Sequence, residues 1–497
     1  MNYIISFFIG GLYTLSYSPY NLTILAIISL VLFFAILDTD DIKDSVIKSL
    51  LFSIGYFSVG TYWLENVINY YSNINYILSI FLVLLFILYL SLFVVIPVYI
   101  SSYLKINFKL RKNFSFIILI ILITFFEILR SQVFTGFSWF NFGQFGLESP
   151  FKYFFPVIGV HGLTFSALIL SLTIFNILKQ KDLKFFIPLL ISYVIFYANI
   201  YSVNWTSNSE DQIKVSVIQP NTLNKLSYKK NEIIERMKIL ETMTYETKKY
   251  DPDIILWPEA PLSLTYNSLQ NNFYKNILSN IEPRINLITG TFYSVDNKIY
   301  NSIINISSPY SVYHKKHLVP FGEYLPFKDF LHTLYNNFGL NIFDISEGDT
   351  AKSITIKDFF AYPLICYESI FSEESLIKNN DIDFILNVSN DGWFGNSLAP
   401  HQHLDALRMR SLENQRYAIR AANSGISSII SPDGNIISLV PFGEKGIINN
   451  VIYKKNGTTP LANHGYKILY GIIFIIFLFG SIFYNINTFR HTLGADR

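Results

Sequence analysis

Seven apolar segments occupy the first 202 residues, and they restrict the possible folds of this chain more than any other feature. Short polar loops separate them, and they lie at about 3–17, 22–37, 46–64, 77–101, 115–135, 156–178 and 184–202. A helix needs roughly 20 predominantly apolar residues to cross a bilayer, so the first two segments are short for a span. The first segment has no basic residues before its apolar run, which argues against a cleaved signal peptide. The pattern predicts a membrane domain with seven spans.

The composition agrees with a chain that is largely in contact with lipid. Hydrophobic residues make up 51% of the 497 residues and charged residues 15%, whereas soluble domains carry about 25% charged residues. The formal net charge of +2 is too small to indicate a nucleic-acid partner. Cys366 is the single cysteine, so no intrachain disulfide can form and cysteine usage does not reveal the compartment.

Lysine and arginine predict how the membrane domain is oriented. They cluster in the loops after the fourth and sixth segments, at Lys105, Lys109, Arg111, Lys112, Lys179, Lys181 and Lys184. The loop 65–76, after the third segment, contains none. The positive-inside rule places both basic loops in the cytoplasm, and therefore everything after the seventh segment outside it. The acidic loop 38–43 disagrees mildly with this assignment, although acidic residues contribute little to the rule.

The composition changes at about residue 205, where a segment polar enough for water begins. Apolar runs at 215–220, 253–258, 287–292 and 384–388 have the character of buried strands, and 231–250 that of a helix. Strand–helix alternation over this length predicts an α/β domain with a largely covered sheet.

An apolar run at 468–484 predicts an eighth span. Arg490 and Arg497 follow it and fit a cytoplasmic tail. The predicted organisation is therefore a membrane domain at 1–204, an extracytoplasmic domain at 205–464, and a final span with its tail at 465–497.

Three points in the α/β domain carry reactive side chains at or just beyond a predicted strand. Cys366 ends an apolar run and is followed by Glu368, an arrangement that suits a nucleophilic thiol but also a small buried hydrophobe. Glu259 follows Pro258, which ends its strand, and taken singly it is interpreted as a cap or surface acid in preference to a reactive group. The loop 313–323 contains two lysines, two histidines and a glutamate. Spacing alone does not bring these three points together.

Three motifs in this order resemble the Glu-Lys-Cys triad of the nitrilase superfamily. They are Trp-Pro-Glu at 257–259, Tyr-x-Lys-x-His-Leu at 313–318 and Ile-Cys-Tyr-Glu at 365–368, about 50 residues apart. Three more motifs narrow the resemblance, namely His-Leu-Val-Pro-Phe-Gly-Glu at 317–323, Ser-Asn-Asp-Gly-Trp-Phe-Gly at 389–395 and Arg-Met-Arg-Ser-Leu-Glu at 408–413. With seven spans before the domain and one after it, the chain resembles the apolipoprotein N-acyltransferase family from end to end. The resemblance implies an αββα sandwich for the α/β domain.

The resemblance also implies roles for individual residues. Glu259 matches the general base of the family, Lys315 its electropositive partner and Cys366 its nucleophile. Lys315, rather than Lys316, occupies the lysine position of the motif. The supporting positions of the site are matched by Glu323, Tyr367, Glu368 and Trp393.

The activity implied by the resemblance is acyl transfer at the bacterial cytoplasmic membrane, with the catalytic domain on the periplasmic side. Cys366 would take an acyl chain from a membrane phospholipid as a thioester and pass it to the N-terminal amine of a diacylglyceryl-modified apolipoprotein. No cofactor is expected. No metal is expected either, because His401 and His403 are two residues apart and diverge on a helix, so both are interpreted as structural.

Two alternatives remain at this point. A membrane-anchored hydrolase of the nitrilase type would use the same triad with water as acceptor, although eight spans favour lipid substrates. A non-enzymatic membrane scaffold would not be expected to keep Glu259, Lys315 and Cys366 together.

Two further segments each have two possible environments. The aromatic-rich loop 134–146 indicates either an interfacial belt, which is favoured, or the lining of a path for lipid. Glu127 and Arg130 precede it at helical spacing and are expected to pair. The segment 327–343 has an apolar helical face that either packs on the domain core or lies on the membrane as a lid.

Overall fold

The computed structural model describes residues 3–71, 75–180, 186–222, 229–308, 311–328, 344–349 and 353–478. These residues form two compact units. The first comprises the described parts of 1–62, 80–203 and 464–497, and the second those of 63–79 and 204–463. The second unit thus contains a short segment that lies between two apolar helices in sequence.

The first unit is helical throughout. Each predicted apolar segment coincides with one helix, and helix α4 between them belongs to the second unit. The bounds are α1 Tyr3–Thr14, α2 Ile24–Ile36, α3 Ile42–Thr61, α4 Leu64–Tyr71, α5 Tyr76–Asn107, α6 Lys112–Arg130, α7 Phe155–Gln180 and α8 Phe186–Ile200. Among the described residues, three helices are long and apolar enough to cross a membrane, namely Tyr76–Asn107, Lys112–Arg130 and Pro150–Lys179. The predicted polytopic helical domain is therefore confirmed.

Ion pairs join the acidic loop after α2 to both basic loops of the first unit. Asp38 pairs with Lys112 and with Lys179. Lys105 Nζ lies 2.7 Å from Asp40 Oδ1 and donates to the carbonyl of Thr39 at 2.9 Å. All three loops therefore lie at the same end of the unit. The acidic loop agrees with the orientation derived from the basic loops, because it serves as their counter-charge.

Glu127 and Arg130 on α6 bond to the following loop rather than to each other. Arg130 donates to the carbonyl oxygens of Trp139 and Phe140, the latter at 2.9 Å. Glu127 Oε2 accepts from the backbone N–H of Phe142 at 2.8 Å. The expected pairing of the two charges is wrong for this structure, because Arg130 bonds to buried backbone groups of the irregular loop, and Glu127 bonds to that loop and to His161 and Thr164 of α7.

The aromatic rings of this loop are buried inside the first unit. Phe137, Trp139, Phe140, Phe142 and Phe145 are each at most 9% exposed. A belt at the membrane surface would leave such rings on the outside of the protein. The favoured interpretation as an interfacial belt is therefore wrong for these five side chains.

The second unit contains two six-stranded sheets. In spatial order they are β12-β1-β2-β3-β4-β5 and β11-β10-β9-β8-β7-β6. The strands of the first sheet are β1 Ser207–Gln219, β2 Ile254–Leu256, β3 Asn286–Val295, β4 Lys298–Asn305, β5 Val312–His314 and β12 Gly446–Asn456. Those of the second are β6 Ile354–Ile356, β7 Phe359–Ile365, β8 Phe384–Ser389, β9 Tyr417–Ala422, β10 Ser427–Ile430 and β11 Ile436–Val440. Parallel pairing joins β1 to β2 and β2 to β3 in the first sheet, and β7 to β8 and β8 to β9 in the second.

Alternating side chains along the strands produce a layered core. Val215 and Val217 of β1 pack between the sheets with residues of the second sheet such as Leu386, whereas Ile218 faces the helical layer outside. Because β2, β8 and β9 are buried along their whole length, most of their residues are apolar.

Helices cover the outer faces of both sheets. The cluster outside the first sheet includes Leu240 and Met243, and the cluster outside the second includes Leu404 and Leu407. Among the described residues after 204, the helices of this unit are α9 Lys230–Glu246, α10 Tyr266–Leu269, α11 Lys275–Asn280, α12 Ala399–Asn414 and α13 Pro460–His464. The αββα sandwich implied by the family resemblance is confirmed.

Two predicted segments fall largely or partly outside the described residues. Of the amphipathic segment 327–343, only 327 and 328 are described, and Phe327 is 65% exposed. The choice between a core-packed helix and a membrane lid stays a prediction. Of the eighth span predicted at 468–484, the described part belongs to the helix Lys467–Leu478, α14.

Candidate active site

The three predicted site residues lie just beyond the ends of three strands. Glu259 follows β2, Lys315 follows β5, and Cys366 follows β7 of the other sheet. All three side chains are buried, with exposures of 3%, 1% and 4%. Strand ends place side chains precisely because the sheets on which they stand are rigid.

A chain of hydrogen bonds joins Glu259 to Lys315. The amide of Asn301 on β4 donates to Glu259 Oε1 at 2.7 Å and to Glu323 Oε1 at 2.8 Å. Lys315 Nζ donates to Glu323 Oε2 at 2.8 Å. Glu323 is therefore a direct partner of Lys315. Asn301 was not foreseen from the sequence, where it is one polar residue in a predicted strand region.

A glycine on β3 allows the Glu259 turn to approach its sheet. A Cβ atom at Gly290 would lie 2.6 Å from the Cα of Glu259, which is too close for any other residue without backbone movement. The backbone N–H of Gly290 donates to the carbonyl of Pro258 at 3.1 Å. The close approach fixes Glu259 relative to the strand beside it.

Cys366 has a backbone conformation that is rare for a residue with a side chain. Its φ is +49°, in the left-handed region that glycine favours. Such a conformation costs of order 1–3 kcal/mol and persists only where the surroundings hold it. It turns the chain sharply out of β7 into the single 3-10 turn Cys366–Ile370.

Glu368 bonds to the backbone on both sides of this turn. Its Oε2 accepts from the N–H of Ile365 at 2.7 Å, and its Oε1 accepts from the Tyr313 hydroxyl at 2.7 Å and from the N–H of Lys316 at 2.9 Å. The carboxylate thus ties the Cys366 turn to the loop that carries Lys315. Both carboxylate oxygens of Glu368 are therefore engaged in positioning the turn.

The pKa values of Glu259 and Cys366 are both raised by burial. Burial raises the pKa of Glu259 to about 7, against the opposing effect of the Lys315 ammonium. Burial and the Glu259 carboxylate raise the pKa of the Cys366 thiol above its ordinary value. Glu259 Oε2 has no hydrogen-bond partner among the described residues. A buried carboxylate with a free oxygen and a pKa near neutrality can take a proton from a neutral thiol.

Lys315 keeps its charge in spite of its burial. Burial acts to lower the pKa of Lys315, but the carboxylates of Glu323 and Glu259 raise it above the ordinary value. The site therefore contains a permanent positive charge beside the thiol. Such a charge can stabilise an oxyanion in a water-excluded site.

The remaining two predicted residues are partly exposed. Tyr367 follows the thiol directly, and its ring packs edge-on against Phe371 at 5.1 Å and lies 5.7 Å from that of His317. Trp393 lies in the turn Asp391–Phe394 that follows β8. Both residues are thus on loops at strand ends of the second sheet.

A second buried network of hydrogen bonds contacts the backbone of Cys366, and the sequence analysis did not predict it. It contains Asp391, His403 and Arg420, all buried. His403 was interpreted as structural, yet its Nε2 lies 3.0 Å from the carbonyl oxygen of Cys366. A signal was present, because Arg420 is the only charged residue in the apolar strand Tyr417–Ala422 and such a charge needs a buried partner.

Metal binding is the one other chemistry that this network suggests. Ligand atoms of Cys366, Asp391 and His403 lie within 4.8 Å of one another. Asp391 already accepts from Arg420 and Ser389, and both nitrogens of His403 are hydrogen-bonded. These residues fit a hydrogen-bonded network better than an open ligand set.

Comparisons with known proteins agree with both units. Residues 9–173 match the family model of the apolipoprotein N-acyltransferase N-terminal domain, and residues 214–453 that of carbon-nitrogen hydrolase. The apolipoprotein N-acyltransferase of Wigglesworthia glossinidia brevipalpis is 34% identical over 92% of this chain and 93% of its own length. The enzyme of the same name from Pasteurella multocida is 31% identical over 97% of this chain and 95% of its own. With relatives above 30% identity along nearly its whole length, this chain belongs to the apolipoprotein N-acyltransferase family.

Proposed function

We propose that this protein transfers an acyl chain from a membrane phospholipid to the N-terminal amine of diacylglyceryl-modified apolipoproteins. The observation that carries the proposal is the hydrogen-bonded set of buried Glu259, Asn301 and Lys315 with the partly buried Glu323, near a strained Cys366. A hydrolase would use the same groups with water as acceptor. Relatedness that extends through the membrane unit favours transfer between lipid-borne substrates.

In the first half-reaction the Cys366 sulfur attacks the ester carbonyl carbon of the phospholipid. The thiol proton passes to Glu259 as the S–C bond forms. The Lys315 ammonium and the backbone N–H of Tyr367 stabilise the oxyanion of the tetrahedral intermediate. The C–O bond then breaks, the leaving alkoxide takes the proton from Glu259, and a lysophospholipid departs from the thioester.

In the second half-reaction the α-amine of the apolipoprotein attacks the thioester carbonyl. Glu259 takes a proton from the attacking nitrogen, and the same oxyanion contacts apply. The C–S bond breaks, an amide is formed, and the thiolate regains its proton from Glu259. Because the thiol is neutral at rest, the empty site does not have to hold a buried thiolate.

Replacement of the thiol should abolish transfer. Cys366→Ala and Cys366→Ser proteins, purified and incubated with phospholipid, should show no acyl adduct, whereas the wild type should gain one acyl mass on the peptide that contains Cys366. Intact-protein and peptide mass spectrometry make the measurement. Substantial transfer to an apolipoprotein by the Cys366→Ala protein would contradict the thioester mechanism.

Acyl-enzyme formation should depend on the ionisation of Glu259. The base acts only when deprotonated, so the rate should rise with pH and be half-maximal near the pKa of about 7. Glu259→Gln should remove both the activity and this profile, because an amide cannot accept the proton. The rate is measured by quenched single-turnover reactions between pH 5 and pH 9. A normal rate of thioester formation in the variant would remove Glu259 from the base role.

Two adjacent lysines provide a matched test of the oxyanion charge. Lys315 is buried and bonded to Glu323, whereas Lys316 is exposed. Lys315→Met should lower the acylation rate by about 10²–10³, the usual cost of an oxyanion contact, and Lys316→Met should leave it nearly unchanged. Both variants are compared in the same single-turnover assay, with Tm as a control for folding. Equal losses would indicate that the loop acts through its overall charge.

We also propose that the protein lies in the bacterial cytoplasmic membrane with residues 205–464 on the periplasmic side. The joined loops that carry Asp38, Lys105, Lys112 and Lys179 would form its cytoplasmic end. A reporter that is active only outside the cytoplasm should work when fused near Ser207 and fail when fused near Lys109. The reverse pattern would place the site away from apolipoprotein substrates and contradict the proposal.

A further inference from the structure

The carbonyl oxygen of the proposed nucleophile is held by a residue from a distant helix. His403 on α12 is completely buried, and its Nε2 lies 3.0 Å from the oxygen of Cys366. A carbonyl oxygen can only accept, so Nε2 carries the hydrogen of this bond. The Ser369 hydroxyl donates to the same oxygen at 2.9 Å from within the 3-10 turn. Of these two donors to the Cys366 oxygen, His403 is the one that comes from outside the turn.

Asp391 and Arg420 hold His403 from behind. His403 Nδ1 lies 2.9 Å from Asp391 Oδ1, and Arg420 donates to Asp391 Oδ2 at 2.6 Å and to the carbonyl of Ile426 at 3.1 Å. Burial acts to raise the pKa of Asp391, but Arg420 and His403 lower it well below its ordinary value. Asp391 therefore remains an anion and an acceptor.

The chain leaves room for this carboxylate at a specific glycine. A Cβ atom at Gly425 would lie 2.3 Å from Asp391 Oδ2. The network of Asp391, His403 and Arg420 is thus built into the packing of the second sheet, and His403 has little freedom to move relative to Cys366.

The planar peptide group between Cys366 and Tyr367 couples the bond from His403 to the direction of the Tyr367 N–H. The peptide group that links Cys366 to Tyr367 is planar and trans, so its C=O and N–H point in opposite directions. A donor that fixes the carbonyl on one side also fixes the direction of the N–H on the other side. That N–H belongs to the residue directly after the thiol, which is the backbone donor assigned to the oxyanion under the proposed function.

We propose that His403, held by Asp391 and Arg420, is a positioning residue that aims the Tyr367 N–H at the oxyanion formed on Cys366. His403 does not touch the substrate and exchanges no proton with it. Its effect is confined to steps that pass through a tetrahedral intermediate. This inference rests on the proposed function, because it assumes an acyl transfer at Cys366.

Two reactions of the same thiol separate positioning from simple folding. Acylation of Cys366 by a short-chain p-nitrophenyl ester forms an oxyanion, whereas alkylation by iodoacetamide displaces iodide without one. His403→Leu should slow acylation by about 10-fold to 100-fold, because one oxyanion donor would no longer be held in the correct direction. The rate of alkylation should change by less than about 3-fold. His401→Leu, on the same helix, is the matched control and should leave both rates unchanged.

A pair of amide variants keeps the test decisive if His403→Leu does not fold. In His403→Gln the amide nitrogen can reach the position of Nε2 and bond to the Cys366 carbonyl, whereas in His403→Asn it reaches only the position of Nδ1. His403→Gln should therefore retain most of the acylation rate and His403→Asn should lose about 10-fold or more.

The outcomes distinguish this inference from the proposed function. If the wild type forms no acyl adduct on Cys366, the proposed function itself fails. If the wild type is acylated normally and His403→Leu or His403→Asn is acylated at the same rate, only the positioning role is overturned. Equal slowing of acylation and alkylation would also overturn it, because it would assign His403 to the general fold around the thiol.

Discussion

The rest of the site depends on the attraction between the buried ammonium of Lys315 and the carboxylates around it. An isolated charge in a protein interior costs several kcal/mol, even after relaxation. Glu323 offsets this cost through a direct bond at 2.8 Å, and Glu259 contributes through its attraction for the ammonium. The two carboxylates in turn can share a buried space only because the positive charge lies beside them. The three groups therefore stabilise one another as a set, although Glu259 comes from a different loop than Lys315 and Glu323.

Three buried carboxylates near Cys366 differ in their chemistry because their partners differ. Glu259 has one bonded oxygen, and burial raises its pKa to about 7. Glu368 has both oxygens occupied by donors of the turn and the neighbouring loop. Asp391 is paired with Arg420 and stays ionised. The number and kind of donors around each acid, rather than the acid itself, distinguish the proposed proton acceptor Glu259 from the fully bonded Glu368 and Asp391.

The first unit satisfies its buried charges by the same principle. Arg130 and Glu127 take backbone groups of the loop after α6 as partners. Without water in a bilayer core, irregular backbone must be bonded within the protein. The loop that follows α6 is thereby drawn into the helical unit together with its aromatic rings, which explains why both local expectations about this region were wrong.

Much of the architecture could be predicted because it follows from the order of residues along the chain. Apolar runs in the first 202 residues determined the helical membrane unit, and alternating runs after residue 205 determined the α/β class. The motifs around Glu259, Lys315 and Cys366 pointed to the family, because they resemble its Glu-Lys-Cys triad in sequence, order and separation. These features are local in sequence, so periodicity and motif are sufficient to find them.

Only the tertiary structure decided which side chains meet. Asn301 bonds to Glu259 across 42 positions of sequence, and His403 reaches the Cys366 carbonyl across 37. Nothing in the local pattern around either residue specifies such a partner. The sequence by itself determined the elements and the candidate residues, whereas the packing of two sheets and a covering helix decided the hydrogen bonds. The physical reason is that burial leaves each polar group dependent on whichever donor or acceptor the fold brings within about 3 Å of it.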